Sequence, residues 1–355
     1  MVMRRLVINS ALLLLALPTQ AATLRVFGSA GAESQLTPAN TASPLNPSNV
    51  AGIPLATNVS DITTFLDAAP DDHAWKVHVK LRADSSDRGA DHLRAGEAYV
   101  QLNPAPWLDV TTGRIIEKWG TGYAWNPTAF ISPRKNPADP GDRRSAYRGV
   151  DAIKADVFVR GTNISLYALQ HRTFAARVYR LVAETDISLH LYRDPHGTRQ
   201  GISVARVFGD ALELHGELAR RHALAGAQYT FPHNVNVVAE VYRSGDGLSE
   251  REWLRFTELA EHDLRRANAA YAPLTMARNY GFVRVDVPFA KNDAELIAIT
   301  NLRDRSSILR ATLSRKLTTR ISAYAIDTEF IGGDGSELSY IQVRRSTTVG
   351  FRVYF

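Results

Sequence analysis

The stretch AWKVHVKLRA, residues 74–83, alternates apolar and basic side chains without a break. Its apolar positions are Trp75, Val77, Val79 and Leu81, and the positions between them are Lys76, His78, Lys80 and Arg82. A period of two residues is typical of a β-strand whose faces meet different surroundings. In a soluble sheet the apolar face would cover a core. In a membrane barrel it would face lipid, and the basic face would line a polar lumen.

Composition narrows the classes of protein that this chain can be. The 355 residues include no cysteine, which excludes disulfides, thiolate nucleophiles and cysteine-ligated zinc. Lys and Arg total 42 against 36 Asp and Glu, and their scattered placement gives no indication of nucleic-acid binding. After the first residues no apolar run is long enough for a transmembrane helix, but spanning strands would leave no such run.

The first 21 residues have the pattern of a secretory signal peptide. Two arginines precede an apolar run over residues 6–17, and Thr19-Gln20-Ala21 is a small-x-small cleavage site. The alternative is a membrane anchor, for which this run is short. We therefore expect cleavage after Ala21 and export of the mature chain.

We divide the mature sequence at residue 73. Residues 22–73 are rich in Pro, Asn, Ser, Ala and Thr, and we interpret them as a mostly irregular leader, periplasmic or plug-like, with room for one hairpin. Residues 74–355 contain about sixteen alternating segments (roughly 14–18), each near the length that a tilted strand needs to cross hydrocarbon. The predicted fold is an all-β transmembrane antiparallel barrel with long extracellular loops.

The spacing of long and short interruptions supports this barrel, because such proteins have short periplasmic turns and long outer loops. With the strand at 74–83 running outward, the long segments 117–149, 244–277 and 330–345 all fall outside. The short linkers 103–106, 231–234 and 289–293 all fall on the periplasmic side. The weakest strand, 174–183, is retained partly because this order needs it. A soluble propeller or solenoid is the alternative, but the sequence has no fixed-period repeat.

The chain ends in TTVGFRVYF, residues 347–355. Phe351, Val353 and Phe355 share one face of this segment, with Arg352 on the other. A last strand that ends in Phe after alternating apolar residues resembles the assembly signal of bacterial outer-membrane barrels. This resemblance implies that the barrel assembly machinery is a partner and that outer-membrane lipid surrounds the protein.

The segment from Gly113 to Asp151 is the least ordinary part of the sequence. It contains a Gly113-Arg114 pair, then Trp119-Gly120, then Trp125-Asn126-Pro127. This order resembles a group of proteobacterial porin-like outer-membrane proteins with a Trp-Gly motif and an Asn-Pro loop, over about 60 residues. The resemblance implies a barrel, and implies little about substrate, because such barrels include both porins and exporters.

This segment is too long and too aromatic for a simple solvated connection. Folded into the lumen, it would bury its aromatic residues and leave irregular backbone in a wet cavity, where that is tolerated. A flap over the mouth of the barrel is the alternative. The residues that we expect to form a constriction loop are Trp119, Trp125, Asn126, Arg134, Lys135, Arg143 and Arg144.

The inner faces of the predicted strands carry both signs of charge. Pairing the strand at 74–83 with the last strand would place Lys76, His78, Lys80, Arg82 and Arg352 on one wall. The next strand adds Glu97, and the far wall carries Glu213, Glu217 and Glu240. We expect all nine to line the pore. An inward loop would make the constriction net positive and favour anions, whereas local pairing of the charges would leave no preference.

A second long segment, 244–277, contains SEREWLRFTELAEHDLRR. Ser249 and Glu252 have capping-box spacing, and Trp253, Phe256, Ala260 and Leu264 form one helical stripe. This predicts an extracellular helix that packs on the barrel rim. A helix that binds a partner is the alternative.

Three classes of function can be compared. A passive channel for small polar or anionic solutes is the first, and an export or assembly component for a polymer, with a periplasmic partner at residues 22–73, is the second. An enzyme is not expected, because the ten histidines are dispersed and neither GxSxG nor HExxH occurs. We predict no cofactor or metal. A homo-oligomer stays open by analogy with porins.

Overall fold

The computed structural model describes residues 22–89 and 91–355, so the expected signal peptide lies outside the described residues. In this part of the chain eighteen antiparallel strands form one sheet that closes on itself. The strands are β1 (Ala22–Leu36), β2 (Ala56–Pro70), β3 (Trp75–Ser86), β4 (His92–Ala105), β5 (Leu108–Ile115), β6 (Val150–Val159), β7 (Thr162–Leu169), β8 (Thr173–Val182), β9 (Thr185–Asp194), β10 (Gly197–Phe208), β11 (Leu212–Ala219), β12 (His222–Thr230), β13 (Asn236–Arg243), β14 (Asn279–Phe289), β15 (Asn292–Asn301), β16 (Ser307–Lys316), β17 (Ile321–Ile331) and β18 (Arg345–Tyr354). Closure comes from β1, which pairs with both β2 and β18.

The long connections all lie at one end of the barrel. They cover residues 37–55, 116–149, 244–278 and 332–344, and each follows an odd-numbered strand. We call this the loop end and the opposite one the turn end, where connections such as 160–161 and 290–291 are short. The loop-end connections hold helices α1 (Glu250–His262) and α2 (Leu264–Ala270) and two short 3-10 turns, Pro47–Asn49 and Glu337–Tyr340. No helix in residues 22–89 or 91–355 is long and apolar enough to cross a membrane.

The structure corrects the interpretation of residues 22–73 as a mostly irregular leader. This region supplies β1 and β2, which pair with each other along their full fifteen residues, from Ala22 opposite Pro70 to Leu36 opposite Ala56. The barrel therefore has eighteen strands where we expected about sixteen. The alternation is weak in sequence because Gly, Ala, Ser and Thr occupy both faces of these strands, so it carries little hydrophobic contrast. The weak segment at 174–183 is β8, shifted by one residue.

Inner and outer faces follow the predicted alternation along β3. His78, Lys80 and Arg82 lie on the inner face and are buried there, whereas Leu81 is exposed on the outer face. Trp75 departs from the prediction that it faces lipid, because only 6% of its surface is exposed. Protein atoms cover this indole, which lies at the first position of the strand, next to the turn end.

The loop end is covered by a small apolar cluster. Ser249 and Glu252 form the predicted capping box at the start of α1. Trp253 and Phe256 of this helix are buried together with Leu45 from the first loop and Tyr340 from the last. The apolar stripe of α1 is thus used within the protein, as expected for a rim helix. The helix ends one residue before Asp263, and the predicted stripe continues on α2 after a break.

Candidate functional site

Residues 116–149, which we call the inserted segment, lie inside the barrel. Trp119 is 1% exposed and its ring centroid lies 5.5 Å from that of Tyr167 and 5.0 Å from that of His190. Tyr167 is on the inner face of β7 and His190 on that of β9. Phe130, also from the inserted segment, packs edge-on against Trp119 at 6.4 Å. The first tryptophan of the motif therefore anchors the segment on the β7–β9 wall.

The second tryptophan of the motif anchors the segment on the wall formed by β13 and β14. Trp125 stacks on Tyr242 of β13, with ring centroids 5.0 Å apart. It also contacts Tyr280 and Phe282 of β14 at 6.0 and 6.2 Å. These rings belong to a buried cluster that includes Leu224 and other apolar side chains of the inner wall. Large aromatic surfaces thus hold the first half of the inserted segment in place.

Glu217 of β11 binds the backbone of the inserted segment. Its carboxylate accepts hydrogen bonds from the amides of Thr121 at 2.7 Å, Gly122 at 2.7 Å and Thr128 at 2.9 Å. The hydroxyl of Thr128 donates a fourth at 2.6 Å. Gly120 approaches so closely, with φ of +89°, that a Cβ there would lie 2.6 Å from the Glu217 carboxylate. Glycine at this motif position therefore lets the backbone reach the carboxylate.

Glu240 of β13 plays a similar part next to it. The amide of Ala124 donates to its carboxylate at 2.8 Å, and the amide of Tyr123 donates to the other oxygen. His215 contacts the same carboxylate through Nε2 at 2.9 Å. Glu217 and Glu240 are 4% and 2% exposed, so the inserted segment covers both, and we correct our expectation that they line the pore. Glu213 stays partly exposed and lies 3.4 Å from His215.

Asn126 and Lys135 shape the inserted segment from within. The Asn126 side chain donates to the carbonyl of Pro133 at 3.2 Å and accepts from the amide of Lys135 at 3.4 Å. The Lys135 ammonium donates to the carbonyl of Gly122 at 2.5 Å. Burial lowers the pKa of Lys135, against the opposing effect of Glu240 and Glu217. Of the four basic residues that we assigned to the constriction, only Arg134 is exposed.

The second half of the inserted segment reaches the opposite wall. Arg143 and Arg144 both pair with the carboxylate of Glu33 on β1, with an Arg143 Nη1 to Oε2 distance of 3.0 Å. The hydroxyl of Tyr324 on β17 donates to Glu33 at 2.8 Å, and the Arg143 guanidinium lies 4.6 Å from the Tyr324 ring centroid. Arg310 of β16 donates to the carbonyl of Ala138. The segment therefore crosses the lumen from β7–β13 to the wall around the seam.

Asp61 of β2 joins two of the predicted pore-lining arginines. Arg352 of β18 donates to both of its carboxylate oxygens, at 3.0 and 2.9 Å, and Arg82 of β3 donates at 3.3 Å. Arg82 also donates to the carbonyl of Arg144 in the inserted segment, and the Lys80 ammonium donates to that of Tyr147 at 3.3 Å. The inner faces of β2, β3 and β18 thus hold the end of the inserted segment.

The predicted seam is corrected by the same contacts. We expected the strand at 74–83 to pair with the last strand, with no carboxylate between them, but β1 and β2 lie there and supply Glu33, Asp61 and Asp67. Nδ1 of His78 lies 2.5 Å from Asp67 and its Nε2 3.6 Å from Glu97. Lys76 is 4.0 Å from Asp67.

These three carboxylates are the site residues that the sequence analysis missed. Each lies at an inward position of β1 or β2, in a stretch made mostly of small and apolar residues, as in TLRVFGSAGAE at 23–33. The single charges at Arg25 and Glu33 are the only strong polar signals in that stretch.

The last strand places its aromatic residues outside. Phe351 and Phe355 are exposed on the outer face, and Val353 pairs with Ile321 of β17 and Ala30 of β1. The Phe355 backbone exchanges hydrogen bonds with Gly28, at 2.8 and 3.1 Å. A Cβ at Gly28 would lie 2.9 Å from the Phe355 ring. The terminal residue therefore closes the turn end of the seam.

Comparisons with known proteins support the fold. No family model matches the sequence. No curated protein matches it either. Among solved structures, Pseudomonas aeruginosa OccK11 (OpdR) matches with a TM-score of 0.58 and 10% identity, over 94% of this chain and 96% of that one. A mutant of the Rh. blastica porin matches with a TM-score of 0.53 and 12% identity, over 94% of this chain and 100% of that one.

The fold is that of a porin-type barrel. At these identities the likeness concerns the backbone fold alone and does not indicate a substrate. Within residues 22–89 and 91–355 no group of three or more His, Asp or Glu side chains is placed to hold a metal ion.

Proposed function

We propose that this protein is an outer-membrane channel for passive diffusion of small polar solutes, with a preference for anions. The support is a closed barrel whose inner face is charged and whose outer face exposes apolar side chains over most of its strands. The expected signal peptide and the Phe-terminated last strand favour outer-membrane location and assembly by the barrel assembly machinery. Homo-oligomerisation stays part of the proposal by analogy alone.

The observation that carries the preference for anions is the excess of arginine over carboxylate in two clusters at the seam. Arg82 and Arg352 share Asp61, and Arg143 and Arg144 share Glu33. Within these two clusters four guanidinium groups thus face two carboxylates. The neighbouring carboxylates have cations of their own, because Asp84 pairs with Arg94 as well as Arg82, and Asp67 with Lys76 and His78, so an excess of positive charge remains on this wall. Arg143 and Arg144 are the partly exposed members, so their field reaches the lumen.

Two carboxylates of the opposite wall do little to balance this excess. Glu217 and Glu240 are covered, and their negative charge is stabilised by backbone amides of the inserted segment. A carboxylate that is enclosed and hydrogen-bonded in this way contributes less field to the lumen than an open one. The segment therefore removes negative charge from one wall while it adds two arginines to the other.

An export component was the second candidate, and its motivation was a periplasmic leader at residues 22–73. That region forms β1 and β2 of the wall. No other observation favours a polymer as cargo, so passive diffusion is the better-supported function.

Planar-bilayer recording with purified protein separates the two. We expect discrete single-channel currents in KCl and uptake of small polar solutes by proteoliposomes. Control vesicles should contain the same protein after heat denaturation. If folded protein gives neither current nor uptake, the channel function is rejected and the export component becomes the better-supported function.

A further inference from the structure

A recess of about 490 Å³ opens on the inner face of β6, β7 and β8. Its residues lie in the half of the barrel nearer the turn end, below the point where Trp119 packs on Tyr167. The register places Asp156, Ser165 and Arg177 side by side in one row across the three strands. Phe158, Asn163 and Tyr179 form the next row toward the turn end. The arginine clusters at the seam lie on other strands, so this recess is separate from them.

The recess is surrounded by charges of both signs. Lys154 bridges Glu117 at 2.8 Å and Asp156 at 3.0 Å. Arg177 donates to the hydroxyl of Ser188 at 3.3 and 3.2 Å. The hydroxyl of Tyr179 donates to Asp186 on β9. Asp109 of β5 lies opposite Asp156 on the same face. Two cations and four carboxylates therefore surround the recess, so its net charge is negative and does not attract an anion.

Donor and acceptor groups remain available on its wall. Within residues 22–89 and 91–355 no carboxylate lies within 4.0 Å of the Arg177 guanidinium, which keeps N–H groups free for a ligand. The Ser165 hydroxyl donates to Asp156 at 2.5 Å and also lies 3.0 Å from the side-chain oxygen of Asn163, whose amide donors make no hydrogen bond within the described chain. Donors and carboxylate acceptors thus alternate within one row of side chains, an arrangement that suits a group that both donates and accepts.

Two aromatic rings complete the recess. Phe158 is 43% exposed although it points inward, so it presents apolar surface to the lumen. Tyr179 lies two strands away in the same row, and its ring is held by the Arg177 guanidinium at 5.4 Å from the ring centroid. A ligand that covered Phe158 would remove apolar surface from water.

We propose that this recess is a binding subsite for a neutral saccharide. A sugar ring has hydroxyl groups at its edge, which both donate and accept, and C–H groups on its faces, which cover an aromatic ring. The excess of carboxylates disfavours an anion, and the contacts of three of these carboxylates with Lys154, Ser165 and Tyr179 leave little open negative charge for a cation, so a neutral ligand is favoured. The subsite rests on the proposed channel function, because the lumen is its access route.

The test is equilibrium binding of sucrose to the folded protein in detergent micelles, measured by saturation-transfer NMR. We expect saturable binding, and we expect Phe158→Ala to raise the dissociation constant by roughly threefold to tenfold. Phe27→Ala is the matched control, since Phe27 is 42% exposed on the inner face of β1, away from the recess. Arg177→Lys is a second variant, which keeps the charge but loses the planar fork, and should also weaken binding.

Absence of saturable sucrose binding would overturn the subsite, and so would equal weakening by Phe158→Ala and Phe27→Ala. A polyethylene glycol of similar size should not compete, and competition by it would also overturn the subsite. Binding in micelles requires no ion current. If the protein binds sucrose as described but conducts no current, the channel is rejected and the subsite stands. If it conducts current but does not bind sucrose, the subsite is rejected and the channel stands.

Discussion

Glu217 shows how a single lumen carboxylate can be structural. It receives three backbone N–H groups and one hydroxyl from the inserted segment. Hydrogen bonds to a charged group contribute about 1.5–3 kcal/mol each, and buried donors left without a partner are costly. The enclosed carboxylate therefore defines the path of the segment more than it sets the charge of the lumen.

We expect Glu217→Gln to loosen the inserted segment by at least about 2 kcal/mol, since an amide offers one acceptor oxygen where the carboxylate offers two. Hydrogen exchange at the amides of Thr121, Gly122 and Thr128 measures this directly, as a loss of protection.

Glu213→Gln is the matched control for that substitution, because Glu213 lies four residues earlier on the inner face of the same strand and contacts no amide of the segment. Equal protection in the Glu217 and Glu213 variants would contradict the anchoring role.

The alternation of AWKVHVKLRA predicts the face of each residue but not its partner. Lys80 and Arg82 lie inside as expected, yet their contacts are a backbone carbonyl of the inserted segment and Asp61. A period of two residues assigns a direction, whereas ion pairs across strands depend on the register. The sequence alone could not place Asp61 there, because residues 22–73 were expected to hold at most one hairpin outside the barrel.

At the scale of elements, contrast between faces decides what can be predicted. Strands such as β11 and β13 alternate Leu or Val with charged residues, and they were found close to their true bounds. β1 and β2 are made largely of small residues, so the difference in hydrophobicity between their two faces is too small to show a clear alternation. Helix α1 was found because its cap and its apolar stripe are both local signals.

The last strand carries a prediction of its own. Asp at both Phe351 and Phe355 would place two charges on the outer face of β18, beside the seam. Acidic side chains there cost less than the about 2–4 kcal/mol of Lys or Arg at mid-membrane, but two of them would oppose closure. We expect little folded protein, measured as loss of the heat-modifiable band in outer-membrane fractions.

Tyr354→Asp supplies the control for the last strand, because Tyr354 lies on its inner face and pairs with Ser29. It should assemble far better than the double variant. A normal heat-modifiable band from the Phe351 and Phe355 variant would contradict an assembly role for this face.

At the scale of the whole molecule, the even strand number places Ala22, where β1 begins, and Tyr354, where β18 ends, at the turn end. Adding two strands to the expected sixteen leaves this order unchanged, which is why the long loops share one end of the barrel, as the sequence predicts. The number of strands could not be fixed from sequence, because a hairpin of small residues is compatible with either count.

Sidedness can be tested with single cysteines, since the chain has none. Asp246→Cys lies in an exposed position at the loop end, and Pro232→Cys lies in an exposed turn at the other end. An impermeant maleimide added to intact cells should label the first and not the second, and should label both after lysis. The reverse pattern would invert the topology.

The central claim is that the seam and the inserted segment together make the lumen selective for anions. The most direct measurement is the reversal potential in a planar bilayer under a KCl gradient. We predict anion preference in the wild type and loss of most of it in Arg143→Gln/Arg144→Gln, which removes both arginine partners of Glu33. Arg251→Gln, on the exposed side of α1, should leave it unchanged. Cation preference in the wild type, or a double variant as selective as the wild type, would contradict the account.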